Sequence, residues 1–197
     1  MYIYKCTVLP ENNKDPVIES ECVFDNVNYK MFTNIKDLKN NPSVRGICLY
    51  IHQSLKSTEM TVKCTVENNF QEAIRVEVNG SSTIGCLYRP WYRSDENNLL
   101  LNTLLKEIEK IEGKQLLLFG DFNYRSIDWS MRGTTKCRSR HIALSFLEGS
   151  RDGLLDQYIN VPTRFRIGQR PSTLYFLFTK SITDVLNCSV ESPLGKK

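Results

Sequence analysis

Apolar residues are sparse and irregular over the first quarter of the chain and then fall into short, regular runs. Residues 1 to 44 are rich in Asn, Asp, Lys and Glu, which predicts loop with one short strand near Val27 to Phe32. From Gly46 the texture changes. Gly46 to Ile51, Met60 to Val66, Ala73 to Val78 and Thr83 to Tyr88 are rich in β-branched and aromatic residues and are separated by polar punctuation. Asn79-Gly80 is the strongest short hairpin signal in the chain. Four such runs in succession predict an antiparallel meander that ends at Pro90. Asp95 then stands at a helix N-cap position ahead of Leu99, Leu100, Leu104, Leu105, Ile108 and Ile111, a helical stripe that Gly113 stops. Gln115 to Phe119 is continuously apolar, which predicts a central strand buried on both faces. A shorter helix follows over His141 to Leu147, then strands over Thr173 to Thr179 and Ile182 to Val190. Meander, helix, buried strand, helix and two strands predict a layered α/β sandwich with mixed sheets in one domain.

Composition agrees with a globular domain. Of 197 residues, 41% are hydrophobic and 24% charged, enough for a packed core. The net charge of +4 permits nucleic-acid binding without requiring it. No basic segment leads into an apolar core at the start, and no apolar run approaches the length of a membrane span, so an intracellular protein is expected. The seven cysteines show no CxxC pair, and several sit in apolar runs, which favours free, mostly buried thiols. Cys137 and His141 lie four apart, but no second pair accompanies them to complete a zinc site.

Three segments carry candidate chemistry. In Leu116-Leu117-Leu118-Phe119-Gly120-Asp121-Phe122-Asn123 a buried strand delivers a carboxylate and a carboxamide two residues apart at its carboxyl end. Open α/β sheets hold ligands at such ends. A carboxylate there can orient or deprotonate a water, and a neutral amide can donate to a phosphate oxygen. Taken alone, Gly-Asp followed by Asn is more often an ordinary turn. Leu87-Tyr88-Arg89-Pro90 places a hydroxyl and a guanidinium together, which suits phosphate, although a core aromatic before a solvated arginine is the commoner meaning. Pro162-Thr163-Arg164-Phe165-Arg166 is a basic loop with an interleaved aromatic. It suits a nucleic-acid backbone, or is simply solvated.

In order along the chain, GICLYI, CLYRP, LLLFGDFNYRSIDW, LLDQYINVPTRFR and STLYFLFT resemble the endonuclease domain of non-LTR retrotransposons. That domain is a branch of the endonuclease/exonuclease/phosphatase superfamily. The resemblance runs from about Thr7 to Leu194, and GDFN with a downstream IDW and PTR is its most specific part. It implies a four-layered α/β sandwich of DNase I-like fold and magnesium-dependent hydrolysis of DNA phosphodiester bonds. The parent element would also carry a reverse transcriptase domain, and a functional copy would act in the nucleus. Asp121 and Asn123 would handle the attacking water and the scissile phosphate, with Tyr88 near the phosphate. Arg89, Arg164 and Arg166 would contact nucleic acid.

The resemblance also implies an eroded copy, incomplete at both ends. The family's early Asn on the first strand has no counterpart, nor has its final Ser-Asp-His element. Its metal-binding Glu in a T-E-V-L-P segment corresponds to Thr7, and the Asp of its S-x-L-D segment to Tyr175. Asp121 is then the only strong carboxylate left for magnesium, which prefers one or two carboxylates plus phosphate oxygens. A weakly active or inactive domain is expected. The alternatives are a non-catalytic nucleic-acid-binding remnant and an unrelated α/β binding module in which GDFN is a mere turn. A phosphatase or lipid phosphodiesterase of the same superfamily is disfavoured by the IDW and PTR segments.

Overall fold

The computed structural model describes residues 3–8, 28–35, 46–60, 72–90, 95–131, 133–135, 141–165, 167–181, 183, 185 and 188. The chain opens with three strands, β1 (Ile3–Val8), β2 (Tyr29–Ile35) and β3 (Gly46–His52). A short β4 (Ser57–Glu59) leads to β5 (Ala73–Val78) and β6 (Ser82–Tyr88). Helix α1 (Asp95–Glu109) precedes the central strand β7 (Gln115–Asp121). Two-residue strands β8 (Ile127–Asp128) and β9 (Thr134–Thr135) flank a single 3-10 turn, Trp129–Met131. Then come α2 (His141–Asp152), β10 (Asp156–Gln157) and β11 (Tyr175–Thr179).

A six-stranded sheet of order β10-β11-β7-β6-β5-β4 faces a three-stranded sheet of order β1-β3-β2. Two apolar cores separate the layers. Between the sheets lie Phe32, Ile47, Leu49, Ile51, Ile74, Val76, Val78, Ile84 and Cys86. Beneath the helices lie Leu101, Leu104, Leu105, Ile108, Leu116, Leu118, Phe122, Phe146, Phe176 and Phe178. The described residues thus build helices, sheet and sheet as successive layers, a mixed α/β sandwich as expected. Among the described residues no helix is long and apolar enough to cross a membrane.

Period two organises β7. Leu116 and Leu118 face the helices, while Leu117 and Phe119 are part-buried on the inter-sheet side. Its position between β6 and β11 makes it central, as its apolarity predicts. The Asn79-Gly80 signal also holds: both residues adopt positive φ, 52° and 69°, and join β5 to β6. In α1 the stripe buries Leu104, Leu105 and Ile108, joined by Leu101, which the predicted stripe did not include, and Asp95 and Glu96 are favourably placed in its first turn. Leu99, assigned to the same stripe, is 65% exposed.

Other expectations need correction. The four-strand meander is split, because β3 leaves it to become the centre of the other sheet between β1 and β2. Its residues from Ile47 to Ile51 are all buried, a pattern that tells burial but not which sheet supplies it. The first residues include β1, which the polar texture concealed. Strand β4 ends at Glu59, and all but Met60 of the strand expected over Met60 to Val66 lies outside the described residues. Helix α2 runs on to Asp152, beyond the expected Leu147. Most of Ile182 to Val190 lies outside the described residues. Free thiols are found at Cys48 and Cys188, but Cys86 is disulfide-bonded. Cysteine spacing alone does not fix pairing. His141 opens α2, and Cys137 lies outside the described residues.

Candidate active site

The three chemistry-bearing segments meet at one end of the six-stranded sheet. Helix α1 carries the chain from β6 back to a parallel β7, so the two strands end side by side with Tyr88 opposite Asp121. Strand β11 runs antiparallel on the other flank of β7 and begins there, with Tyr175 opposite Asp121. Paired residues of neighbouring strands share a face. Tyr88, Asp121 and Tyr175 therefore form a row on the inter-sheet face, at the carboxyl end of the central strand.

Gly120 permits this convergence. Its φ is 152°, and a Cβ built there would lie 1.8 Å from the Leu87 carbonyl oxygen, inside any contact distance. Beyond Asp121 the chain turns sharply. Phe122 drops into the helix-side core, stacked 5.0 Å from Phe176. Asn123 adopts φ 52°, a left-handed conformation that Asn tolerates better than most residues. Its backbone N–H donates to Asp121 Oδ1 at 3.1 Å, and its Nδ2 donates to the Arg89 carbonyl at 2.9 Å. Asp121 and Asn123 are thus in contact, but the amide is committed to protein acceptors.

Arg89 was expected to face nucleic acid. It turns inward instead and is only 6% exposed. Its Nε donates to Asn98 Oδ1 at 2.7 Å, its Nη1 donates to the Phe122 carbonyl at 3.3 Å, and its guanidinium lies 4.1 Å over the Tyr124 ring. Its backbone N–H donates to the Asp121 carbonyl at 2.8 Å. One buried arginine is therefore wired to each of the four residues from Asp121 to Tyr124. Burial pushes its pKa down and that of the Tyr124 phenol up to about 12. Tyr124 and Asn98, which frame this arginine, were not singled out in the sequence, where nothing marks them from ordinary core and helix positions.

The PTR segment is a folded corner. Arg164 and Ser172 exchange backbone hydrogen bonds at 3.0 and 3.1 Å. Thr163 Oγ1 accepts from the Leu174 and Tyr175 backbone N–H groups at 2.9 and 3.1 Å. That hydroxyl pins the start of β11, and hence Tyr175, to the basic loop. Arg166 lies outside the described residues. The IDW segment is architectural: Ile127 is buried, Asp128 accepts from Ser130, and Trp129 lies edge-on to Phe176 at 5.0 Å.

Electrostatics distinguish the two faces of the turn. Burial pushes the Asp121 carboxyl up to about 6, against the opposing pull of the Asn123 hydrogen bonds and then of Arg164 and Arg125. Burial and the Asp121 charge both raise the Tyr175 phenol, and Arg164 lowers it. Arg164 therefore acts on both neighbours of that face. On the other face a cavity of about 880 Å³ opens between α1, α2 and the 123–126 turn. Asn123, Arg89, Arg125 and His141 line it, and Asp121 does not.

The donor set around Asp121 fits a divalent cation poorly. Among the described residues no three His, Cys, Asp or Glu side chains cluster to hold a metal. The charges that act on Asp121 are those of arginines. Magnesium needs several hard oxygen ligands, and neighbouring cations oppose it.

No protein-family model matches the chain. No curated protein matches it either. Solved structures do. The chain is similar to the endonuclease domain of TRAS1, a telomere-specific non-LTR retrotransposon, with TM-score 0.51 and 14% identity over 75% of this chain and 66% of that one. It is also similar to the human Nocturnin catalytic domain, at TM-score 0.45 and 16% identity over 78% of this chain and 61% of that one. A mannosyl-6-phosphatase of Bacteroides thetaiotaomicron aligns at TM-score 0.43 and 12% identity, over 77% and 62% of the two chains. The chain spans under two thirds of the last two and 66% of the first. The β6–α1–β7 arrangement and its layers, set beside the first of these likenesses, show that the chain has a DNase I-like mixed α/β sandwich fold.

Proposed function

We propose that the end of the six-stranded sheet recognises phosphate of a DNA backbone, and that the chain is a retrotransposon endonuclease-type domain with weak or no hydrolytic activity. The observation that carries this reading is the row Tyr88, Asp121 and Tyr175 at the carboxyl end of β7, with Arg164 acting on the latter two. The half-exposed Tyr175 phenol and the Arg164 guanidinium supply donors for phosphate oxygens, and a half-buried carboxylate with its pKa at about 6 can accept a proton from water at neutral pH. One carboxylate flanked by arginines is a poor holder of magnesium, which supports weak turnover. Asn123 positions Asp121 in this reading, and Arg89 holds the turn together. The same site in a binding-only remnant would keep DNA affinity without cleavage.

The experiment is a plasmid-nicking assay in magnesium, run beside DNA binding at two salt concentrations. Binding that weakens with salt and falls in Arg164→Ala is expected, with nicking slight or undetectable. Robust nicking abolished by Asp121→Ala would show an active nuclease instead. Absence of salt-sensitive DNA binding would refute the phosphate reading.

A further inference from the structure

We propose that the face carrying Asp121 binds a phosphate group directly through Arg164 and Tyr175, without a bridging divalent cation. This deepens the phosphate reading above and rests on it. Three observations converge. First, Tyr175 lies one strand from Asp121 in register, on the same face, and is 45% exposed, so the residue is open to solvent on the face that carries the carboxylate. Second, Arg164 directly follows Thr163, whose hydroxyl accepts from the Tyr175 N–H, so its charge lies close enough to act on both Tyr175 and Asp121. Third, the two donors belong to one rigid corner. Arg164 is locked to Ser172 by reciprocal backbone hydrogen bonds, and Tyr175 is tied to Thr163 through the threonine hydroxyl. Donors held in place before the ligand arrives spend little entropy on binding it.

Charge decides which ion the face prefers. Arg125, which lines the cavity on the other face of the turn, adds only a weaker long-range positive charge. With Arg164 beside the single carboxylate and no second carboxylate clustered with it among the described residues, the face lacks the surplus of negative charge that a dication needs. A guanidinium has five donors, so Arg164 can keep protein partners and still present a pair to phosphate. The carboxylate then opposes the phosphate rather than holding it through a metal. That reverses the sign of its contribution, and the sign can be measured.

The test is titration of the full 197-residue chain with inorganic phosphate, and with a thymidine dinucleotide with and without a 5′-phosphate, in EDTA and in magnesium. Phosphate is expected to bind in EDTA, with no gain from magnesium. Arg164→Gln should weaken binding about tenfold or more, and Tyr175→Phe several-fold. Asp121→Asn should tighten it about three- to tenfold, because a neutral amide replaces a repelling charge. Preference for the 5′-phosphorylated dinucleotide supports a terminal phosphate in the site, and equal binding supports an internal diester. Should Arg164→Gln fail to fold, Tyr175→Phe and Asp121→Asn carry the test. Binding that requires magnesium, or that Asp121→Asn abolishes, overturns this inference and leaves the phosphate reading standing. Wild-type binding in both Arg164→Gln and Tyr175→Phe overturns it too. No phosphate binding under either condition overturns both.

Discussion

Asp121 sits where its charge is poorly solvated, part-buried under a turn that offers it one backbone N–H at 3.1 Å. Burial raises its pKa to about 6, above the unfolded value, so between about pH 4 and 6 the folded state holds the extra proton. Stability therefore falls as pH rises through that window. Asp121→Asn keeps an oxygen for the Asn123 N–H and removes the charge. It should raise thermal stability at pH 7 by on the order of 1 to 2 kcal/mol, and the gain should vanish near pH 4. Melting curves at the two pH values check this, and equal curves at both would refute it. Gly120 makes the opposite kind of demand. A methyl group 1.8 Å from the Leu87 oxygen forces β6 and β7 apart, so Gly120→Ala should cost at least about 3 kcal/mol or prevent folding. A soluble variant with a wild-type melt would contradict the geometry. The GDFN motif is visible in sequence, but this reason for its glycine is not, because the clashing atom belongs to a residue 33 positions away.

At the scale of elements, two side chains hold the strand exits in place. Thr163 satisfies two backbone donors of the β11 entry with one oxygen. Thr163→Val keeps the shape and leaves those donors unmet, which should cost about 1–3 kcal/mol, whereas Thr163→Ser should cost less than half of that. Denaturant unfolding of both variants decides it, and equal losses would refute the hydroxyl's role. Arg89 binds the end of β6 to the turn after β7 through its backbone, its guanidinium and its stacking on Tyr124. Arg89→Lys retains charge but not the planar fork, so it should destabilise by about 2–4 kcal/mol, and an unchanged midpoint would show that charge alone suffices. The Tyr-Arg-Pro motif drew notice as two phosphate-facing donors. The fold divides them, with Tyr88 on the inter-sheet face and Arg89 on the helix side, because successive residues of a strand point to opposite faces.

Across the whole molecule, the site is only as firm as the layers beneath it. Phe122, between Asp121 and Asn123, belongs to a cluster with Phe146, Phe176 and Phe178, so α2, β7 and β11 share one aromatic core. Phe146→Ala should cost about 3–5 kcal/mol and should loosen the Asp121 turn along with α2. Hydrogen exchange that rises in α2 but not at residues 120–124 would show the turn to be independent of that core. Much of this architecture was readable from pattern alone. The apolar run of β7, the stripe of α1 and the Asn-Gly turn are local signals, because side-chain period and turn conformation depend on near neighbours. The candidate residues were also legible as types in order. Sequence could not say that β3 would leave its neighbours for another sheet, that Cys86 would be disulfide-bonded, or that Arg89 would be buried. Nor could it say that Tyr175 would stand in register with Asp121. The sheet exchange, the buried arginine and the register depend on which strands pair across long stretches of chain, and pairing is decided by how the whole set of apolar faces can be buried at once.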